Sequence, residues 1–416
     1  MPVRKAAIPI GGLGTRLYPF TVDTSKPMVR FLNRFIIDHI LTELAINEID
    51  EVFLGVSGYY NYKDVYDHLG ERFNIRVSGG RRISLKLRYQ PNIPTLGNAH
   101  SIAILADYYG ISEDLLVVQG DTIVSLDLRA VERTHEEANA DMTVVLSEVK
   151  DKEYLRQLGV ARLKPSGEIA EFVEKPADPE KAPSNLANTG VYLISEGVVK
   201  LLRSGELRKL VEEGRADFGR DVIPYLISKG YKIVGHRMSG YWFDVGTLES
   251  YVKAAFYLLR TLPPERLGAT TVYHDTIYMQ GQSPRSRRDH VDLIERAAKG
   301  TITLGGYVLL GRHVSLRDGC SVEDSVIDNY VIVGPGARIQ ESIIMDRSLV
   351  GPSAEIRNSV IGRHVTIGSG VRISNSYIGN DVQIGDNAVI ENAIIWPHRI
   401  VEANSKVTGK VGPSPV

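Results

Sequence analysis

The clearest chemistry in this chain lies in a run of glycines and the charged residues that follow it. Gly11-Gly12-Leu13-Gly14-Thr15-Arg16-Leu17 comes directly after a short apolar run, Ala6 to Ile10, and Lys26 follows in Ser25-Lys26-Pro27-Met28. A glycine turn at the end of a strand lets backbone N–H groups approach a phosphate closely. Three readings compete. A dinucleotide fingerprint needs a small residue where Leu17 stands. A P-loop needs a Gly-Lys-Ser or Gly-Lys-Thr ending, and the motif has none. The third reading is a triphosphate cradle in which Gly11, Gly12, Gly14 and Thr15 hold phosphate and Arg16 adds side-chain donors. Lys26, fixed beside a proline, is a point charge suited to the same anion. Further on, Val117-Val118-Gln119-Gly120-Asp121 ends an apolar run with a carboxylate. The C-terminal edge of a parallel strand is where α/β sheets bind ligands, although a lone Asp there also reads as a turn residue.

These groups need a scaffold, and the first half of the sequence supplies one. Ala6–Ile10, Glu51–Val56, Leu85–Tyr89, Leu115–Gln119 and Met142–Val149 read as strands, with helices at about Asn33–Ala45, Asn98–Tyr109 and Leu128–Asn139 between them. Such alternation implies an α/β fold with a mostly parallel sheet covered by helices on both faces. The strand runs are apolar throughout, as burial on both sides requires. The stretch Val211 to Leu259 is again helix-rich and carries Gly240-Tyr241-Trp242.

The last hundred residues obey another rule. Leu310, Ile327, Ile344, Ile361, Ile378 and Ile395 recur every 17 residues. A second aliphatic lies 6 residues on (Leu316, Val333, Val350, Ile367, Ile384) and a third 12 on (Val322, Ile339, Ile356, Ile373, Ile390). That period is neither helical nor that of a β-meander. It suits a parallel solenoid with three short flat faces per coil, each aliphatic stacking on its equivalent one coil away. The divisions expected are 1–258, a linker at 259–300 and a solenoid at 301–411. The linker's basic cluster, Arg285-Ser286-Arg287-Arg288, reads as a solvated loop or as a site for an anionic effector.

Charge is nearly balanced, 49 Lys plus Arg against 50 Asp plus Glu, so no basic field marks a nucleic-acid partner. One cysteine, Cys320, excludes an intrachain disulfide and fits a reducing compartment. No apolar stretch reaches the length of a membrane span. The expectation is a cytoplasmic protein with neither membrane nor nucleic-acid partners.

Gly11 to Met28 resembles the signature of the sugar nucleotidyltransferases, which usually reads Gly-Gly-x-Gly-Thr-Arg-Leu and then Pro-Lys-Pro. Ser25 stands where the first of those prolines usually stands. Leu96-Gly97-Asn98-Ala99 resembles the family's base-contacting element, with Gln90 upstream as the base reader, two residues farther off than the family's spacing. Leu158-Gly159-Val160-Ala161, Glu171-Phe172-Val173-Glu174-Lys175-Pro176 and Asn188-Thr189-Gly190-Val191-Tyr192 resemble its sugar-binding segments. Gly240-Tyr241-Trp242-Phe243-Asp244-Val245-Gly246-Thr247 resembles its last catalytic segment. Asp217-Phe218-Gly219-Arg220-Asp221 and the Gly240 segment are like those of glucose-1-phosphate adenylyltransferases. The N-terminal stretch is equally like mannose-1-phosphate guanylyltransferases.

The resemblance implies a Rossmann-like mixed sheet followed by a left-handed parallel β-helix of the hexapeptide type. It implies transfer from a nucleoside triphosphate to a hexose 1-phosphate, glucose favoured, with release of pyrophosphate. Arg16 and Lys26 then polarise phosphates, and Asp121 and Asp244 hold Mg²⁺. Gly11, Gly12, Gly14, Thr15, Gln90 and Gly97 bind the nucleotide. Gly159, Glu174, Lys175 and Asn188 bind the sugar phosphate. Homo-oligomerisation through the β-helix is expected. Two alternatives stay open. The solenoid could also transfer acetyl groups, with His313, His364 and His398 as bases or as solvated face residues. The chain could instead be a non-catalytic regulatory subunit, although it keeps every Arg, Lys and Asp position named above.

Overall fold

The computed structural model describes residues 2–12, 14–76 and 81–412. They form two compact units. The first contains residues 1–13, 25–28 and 36–245, and the second contains 14–24, 29–35 and 246–416.

The first unit is built on strands β1 (Lys5–Ile10), β2 (Glu51–Val56), β3 (Arg72–Arg76), β4 (Arg82–Tyr89), β5 (Leu115–Val118), β6 (Thr122–Val124), β7 (Met142–Glu148), β8 (Gly159–Leu163), β9 (Ile169–Glu174), β10 (Leu186–Ile194), β11 (Ile233–Arg237) and β12 (Trp242–Asp244). The main sheet runs β9-β8-β10-β5-β1-β2-β4-β3, with β7 beside β10 and β11 beside β7. Its centre, β5-β1-β2-β4, is parallel. The flanks are antiparallel apart from β11, which runs parallel to β7, so the sheet is mixed. Strands joined by links as short as that between β8 and β9 cannot run parallel, because a parallel return needs a crossover of a dozen residues or more.

Helices α1 (Ile36–Ile46), α2 (Tyr59–Leu69), α3 (Asn98–Tyr108), α4 (Leu128–Ala138), α5 (Glu196–Arg203), α6 (Glu206–Glu212) and α7 (Ile223–Ser228) complete the unit. Ala7, Phe53 and Val117 pack with Ile102, Leu105 and Ala106 of α3 in one core. Ala6 and Ile8, which point the other way from β1, are also fully buried. The apolar runs thus mark strands covered on both faces. Asp127 caps α4 by accepting from Ala130 N–H.

In the second unit, Arg30–Phe31 and Arg34–Phe35 form a hairpin. Its turn residues Leu32 and Asn33 have φ of +47° and +64°. A two-residue hairpin turn needs that left-handed pair, which is why the helix expected from Asn33 begins only at Ile36. Helix α8 (Leu248–Thr261) starts at a Thr247–Ser250 capping box. Residues 259–300 hold two strands, β13 (Ala269–Tyr273) and β14 (Ile277–Gln280), and helix α9 (Pro284–Ala298). Arg285, Arg287 and Arg288 therefore sit in the first turns of a helix, not in a loop. Ser283 caps it and Pro284 opens it, a start signal more specific than the basic composition.

From 303 to 411 the chain forms parallel ladders whose partners lie 17 residues apart, except in the first and last coils, where bulges shift the offset by one. The register runs Ile327↔Ile344, Ile344↔Ile361, Ile361↔Ile378 and Ile378↔Ile395. The same offset joins Leu316 to Val333 and Val322 to Ile339. All three aliphatic columns are buried in one core. The corners between faces repeat with the same phase. His313, Tyr330, Arg347, His364, Asp381 and His398 all have left-handed φ, and so do Asp324, Glu341, Asn358, Asn375 and Asn392. A buried serine ladder, absent from the sequence reading, threads one side. Ser325, Ser342, Ser359 and Ser376 each accept, through Oγ, the N–H of the residue one coil on, at 3.0–3.2 Å. Their burial costs little because each hydroxyl is satisfied.

The hairpin 30–35 is held within this unit by charge. Arg30 makes two hydrogen bonds of 2.7 Å to Asp328. Arg363 bonds Asp346 at 2.7 Å. The guanidinium groups of Arg30 and Arg363 both lie over the Phe35 ring.

Candidate active site

Strand β1 ends in Gly11 and Gly12. Gly12 has φ of +91°, which a side chain rarely tolerates. A Cβ on either glycine would meet nothing within 4 Å, so the turn stands open, as a phosphate cradle must. Leu13 lies outside the described residues. Gly14, Thr15 and Arg16 belong to the second unit. There Gly14 has φ of +61° and its carbonyl accepts the Thr21 hydroxyl at 2.7 Å. Thr15 and Arg16 are exposed on the short turn Thr15–Leu17.

Lys26 opens the 3₁₀ turn Lys26–Met28 of the first unit. Its ammonium contacts Asp121 and lies 3.8 Å from Asp244. Backbone pairing explains why the two carboxylates meet. After β5, Gly120 turns the chain. A Cβ there would sit 3.1 Å from the Pro9 carbonyl and 3.4 Å from Pro27. Strand β6 then runs antiparallel to β12, with Thr122 opposite Asp244. The N–H of Val245 donates to the Asp121 carbonyl at 3.2 Å. Positions 121 and 244, far apart in sequence, become neighbours on one two-stranded ribbon.

This pair fits a hard divalent cation. Two carboxylates already converge on one positive charge, and oxygen ligands are what Mg²⁺ takes. Among the described residues no group of three or more His, Cys, Asp or Glu side chains could hold a metal. A two-carboxylate site leaves the remaining positions for water and phosphate, the usual Mg²⁺ arrangement.

A second cluster in the same unit surrounds Glu174. A Cβ on Gly159 or Gly219 would come within 2.6 or 2.5 Å of its Oε2, so the carboxylate occupies a slot that only glycines leave. Burial pushes the Glu174 carboxyl up, and the nearby Asp217 charge adds to it, while Lys175 and Arg220 pull the other way. Lys175 has left-handed φ of +50°, and its ammonium is 3.7 Å from Glu174. Asn98 ties the cluster together. Its amide donates to Asp217 at 3.1 Å and its carbonyl oxygen accepts Phe218 N–H at 2.9 Å. Phe218 stacks on Tyr192, whose hydroxyl accepts from Asn188 at 2.8 Å. The register of β10 shifts between Asn188 and Tyr192. Inside that shift the Thr189 carbonyl accepts from Thr122 at 3.2 Å and from the Trp242 indole at 3.0 Å. Trp242 is thereby a wall residue next to Asp244.

Gly97 has a packing role. A Cβ there would lie 2.6 Å from the Ala216 carbonyl. Gln90 is almost fully buried. Its amide donates to the Ile93 carbonyl at 2.9 Å and accepts the Ser101 hydroxyl at 2.7 Å. Sequence reasoning missed Gly219 as a partner of Gly159, and it missed the Asn98–Asp217 link, because neither is visible before the chain folds.

In the solenoid, His313, His364 and His398 occupy one corner position. Each faces a carboxylate: Asp289 at 3.2 Å, Asp381 at 3.2 Å and Asp23 at 3.0 Å.

The family model described as Nucleotidyl transferase matches residues 5–261. The one described as GMPPB C-terminal domain matches 301–411. A glucose-1-phosphate adenylyltransferase of Clostridium novyi (strain NT) is 33% identical over 269 residues, 62% of this chain and 68% of that protein. Glucose-1-phosphate adenylyltransferase 2 of Vibrio cholerae is 29% identical over 359 residues, 79% and 86% of the respective chains.

Proposed function

Since the chain belongs to the nucleotidyl transferase family, we propose that it joins a nucleoside triphosphate to glucose 1-phosphate, with Lys26, Asp121 and Asp244 at the reacting phosphates. The observation that carries this reading is the single ammonium of Lys26 placed against both carboxylates. The names of the two relatives favour glucose 1-phosphate as the acceptor. Mannose 1-phosphate with a guanine nucleotide is the alternative that the N-terminal motif supports.

An oxygen of the sugar phosphate attacks the α-phosphorus, the bond to the bridging oxygen of the β-phosphate breaks, and pyrophosphate leaves. A phosphate monoester has its second pKa at about 6, so the nucleophile is ionised at neutral pH and needs no general base. The task is to bring two polyanions together and stabilise charge on the equatorial oxygens. Backbone N–H groups at Gly11 and Gly12 cradle the triphosphate, and Lys26 neutralises it. The sequence motif gives Arg16 the same task. Asp121 and Asp244 would hold Mg²⁺, which when bound spreads the phosphate charge. Glu174 accepts hydrogen bonds from sugar hydroxyls, Lys175 meets the sugar phosphate, and Asn188 closes that side.

No helix among the described residues is long and apolar enough to cross a membrane. A cytoplasmic location is part of the proposal, as is a homo-oligomer built through the solenoid ends, where unpaired strand edges invite stacking. The proposed division remains 1–258, 259–300 and 301–411. The test is pyrophosphate release with Mg²⁺ across a matrix of ATP, GTP, UTP, CTP and dTTP against glucose, mannose and glucosamine 1-phosphates. One pair should exceed the others at least tenfold, and no turnover with any pair would leave a regulatory subunit as the better reading.

A further inference from the structure

Arg16 sits on a segment, residues 14–24, that packs in one unit with the solenoid. Thr15 and Arg16 are exposed there, while Leu17, Phe20 and Thr21 are buried. The turn closes on itself. Leu17 N–H donates to the Gly14 carbonyl at 2.9 Å, and the Thr21 hydroxyl donates to the same carbonyl at 2.7 Å. What holds this closed turn comes from the far end of the chain. The Tyr18 ring meets the Trp396 ring edge to face, with 5.1 Å between centres. Asp23 lies 3.0 Å from Nε2 of His398, across 375 residues of sequence.

The solenoid's own repeat makes both partners exceptions. One residue after each aliphatic of the first column stand Gly311, Asp328, Met345, Gly362, Gly379 and Trp396. Glycine fits there because the next coil passes close. A Cβ on Gly362 would come 2.7 Å from the Gly379 carbonyl carbon, and one on Gly379 would come 2.6 Å from Pro397 N. Two of the three departures meet N-terminal segments: Asp328 bonds Arg30, and Trp396 takes Tyr18. The corner histidines differ in the same way. His313 and His364 face Asp289 of α9 and Asp381 of the solenoid, whereas His398 faces Asp23. The solenoid's own hydrogen bonds set this corner. Trp396 N–H donates to the Val411 carbonyl at 2.9 Å, and His398 N–H to the Asn380 carbonyl at 3.0 Å. The Trp396 ring lies against Gly412, where any Cβ would collide with it.

We propose that Trp396 and His398 are positioning residues for Arg16: by seating Tyr18 and Asp23 they fix the turn from which Arg16 reaches the triphosphate. This rests on the transferase reading above, in which the sequence motif gives Arg16 that task. Holding the turn in advance lowers the ordering cost that a long side chain otherwise brings to binding. It also keeps the guanidinium in place during reaction, where small misplacements cost rate steeply. The ring contact carries more of the hold than the Asp23–His398 pair. Aromatic rings attract beyond their buried area, whereas a solvent-exposed ion pair contributes little.

The test joins amide hydrogen exchange to kinetics on the full chain, comparing Trp396→Ala, Trp396→Phe, Tyr18→Leu and His398→Ala with wild type. Peptides covering 14–24 should exchange at least tenfold faster in Trp396→Ala and in Tyr18→Leu, the mark of local opening. With the best substrate pair, both variants should lower kcat/KM for the triphosphate at least tenfold and change the KM for the sugar phosphate less than threefold. Trp396→Phe should stay within threefold of wild type, and His398→Ala should lose less than Trp396→Ala. In an Arg16→Ala background, Trp396→Ala should cost less than twofold more, because a residue that acts through Arg16 then has nothing left to position. Unchanged exchange in 14–24 would overturn the hold. Faster exchange with unchanged kinetics, an equal fall for both substrates, or full additivity with Arg16→Ala would leave the contact merely structural and overturn the positioning role. Should Trp396→Ala fail to fold, Tyr18→Leu, which keeps every solenoid residue, decides in its place. Failure of the transferase reading looks different: wild type itself then has no turnover on any pair, and the task of Arg16 falls with it.

Discussion

The ammonium of Lys26 touches the carboxylate of Asp121 and stands 3.8 Å from that of Asp244. The lysine thus screens two like charges that the pairing of β6 with β12 forces together. Removing it leaves an uncompensated acidic pair that attracts a cation more strongly. Lys26→Ala should lower turnover at least a hundredfold, while Mn²⁺ alone raises its melting temperature more than that of wild type. Differential scanning fluorimetry with and without Mn²⁺ checks this. Equal metal-induced shifts in the two proteins would mean that Lys26 does not compete for the carboxylates.

Gly159 and Gly219 leave the slot in which Glu174 lies, and a methyl at either would press on Oε2 from backbone that cannot swing away. Gly159→Ala and Gly219→Ala should each raise the KM for the sugar phosphate at least tenfold. The KM for the triphosphate should change less than threefold. Steady-state kinetics with each substrate varied separately reads the difference.

The Glu174 carboxyl is raised by burial and then by Asp217. It must be ionised to accept sugar hydroxyls, so activity should fall as pH drops through its pKa. Asp217→Asn removes the like charge and should move the acid limb of kcat/KM to lower pH. The stability effect has the opposite sense. A raised folded pKa favours the protonated form, so that contribution is present below the unfolded pKa and lost as pH rises through the folded one. An acid limb that stays in place or moves up in Asp217→Asn would count against Glu174 as the titrating group.

In the second unit, Asp328 is buried and bonded twice to Arg30. Burial pushes its carboxyl up, against the pull of Arg30. Breaking a buried pair by removing one partner costs about 3–5 kcal/mol. Arg30→Met should show a loss of that size in urea unfolding. Arg30→Met with Asp328→Leu should recover part of it, because no orphaned charge remains. A double variant no more stable than Arg30→Met would mean that packing around the hairpin, not charge, sets the cost.

Regular elements were legible where one local rule dominates. The 17-residue phase located all three aliphatic columns, since an inward side chain at each face of every coil leaves a periodic trace. Strands β1, β2 and β5 were visible as apolar runs because both their faces are covered. The antiparallel flank was not, since β8, β9 and β10 join the sheet through contacts set only by the fold. Lys26 and Asp121 were legible from motif and strand end. That they meet Asp244 was implied by the family resemblance alone and not by spacing, because it depends on register between strands more than a hundred residues apart. The serine ladder was hidden among turn-like residues, and only stacking shows that each hydroxyl receives an N–H from the next coil.

The most direct test of the central claim is pyrophosphate release by Asp121→Ala and Asp244→Ala, assayed with the best substrate pair at saturating Mg²⁺. Both proteins should unfold at or above the wild-type temperature and lose at least a thousandfold in turnover, in keeping with a site held by these two carboxylates. Turnover within tenfold of wild type in either protein would contradict it.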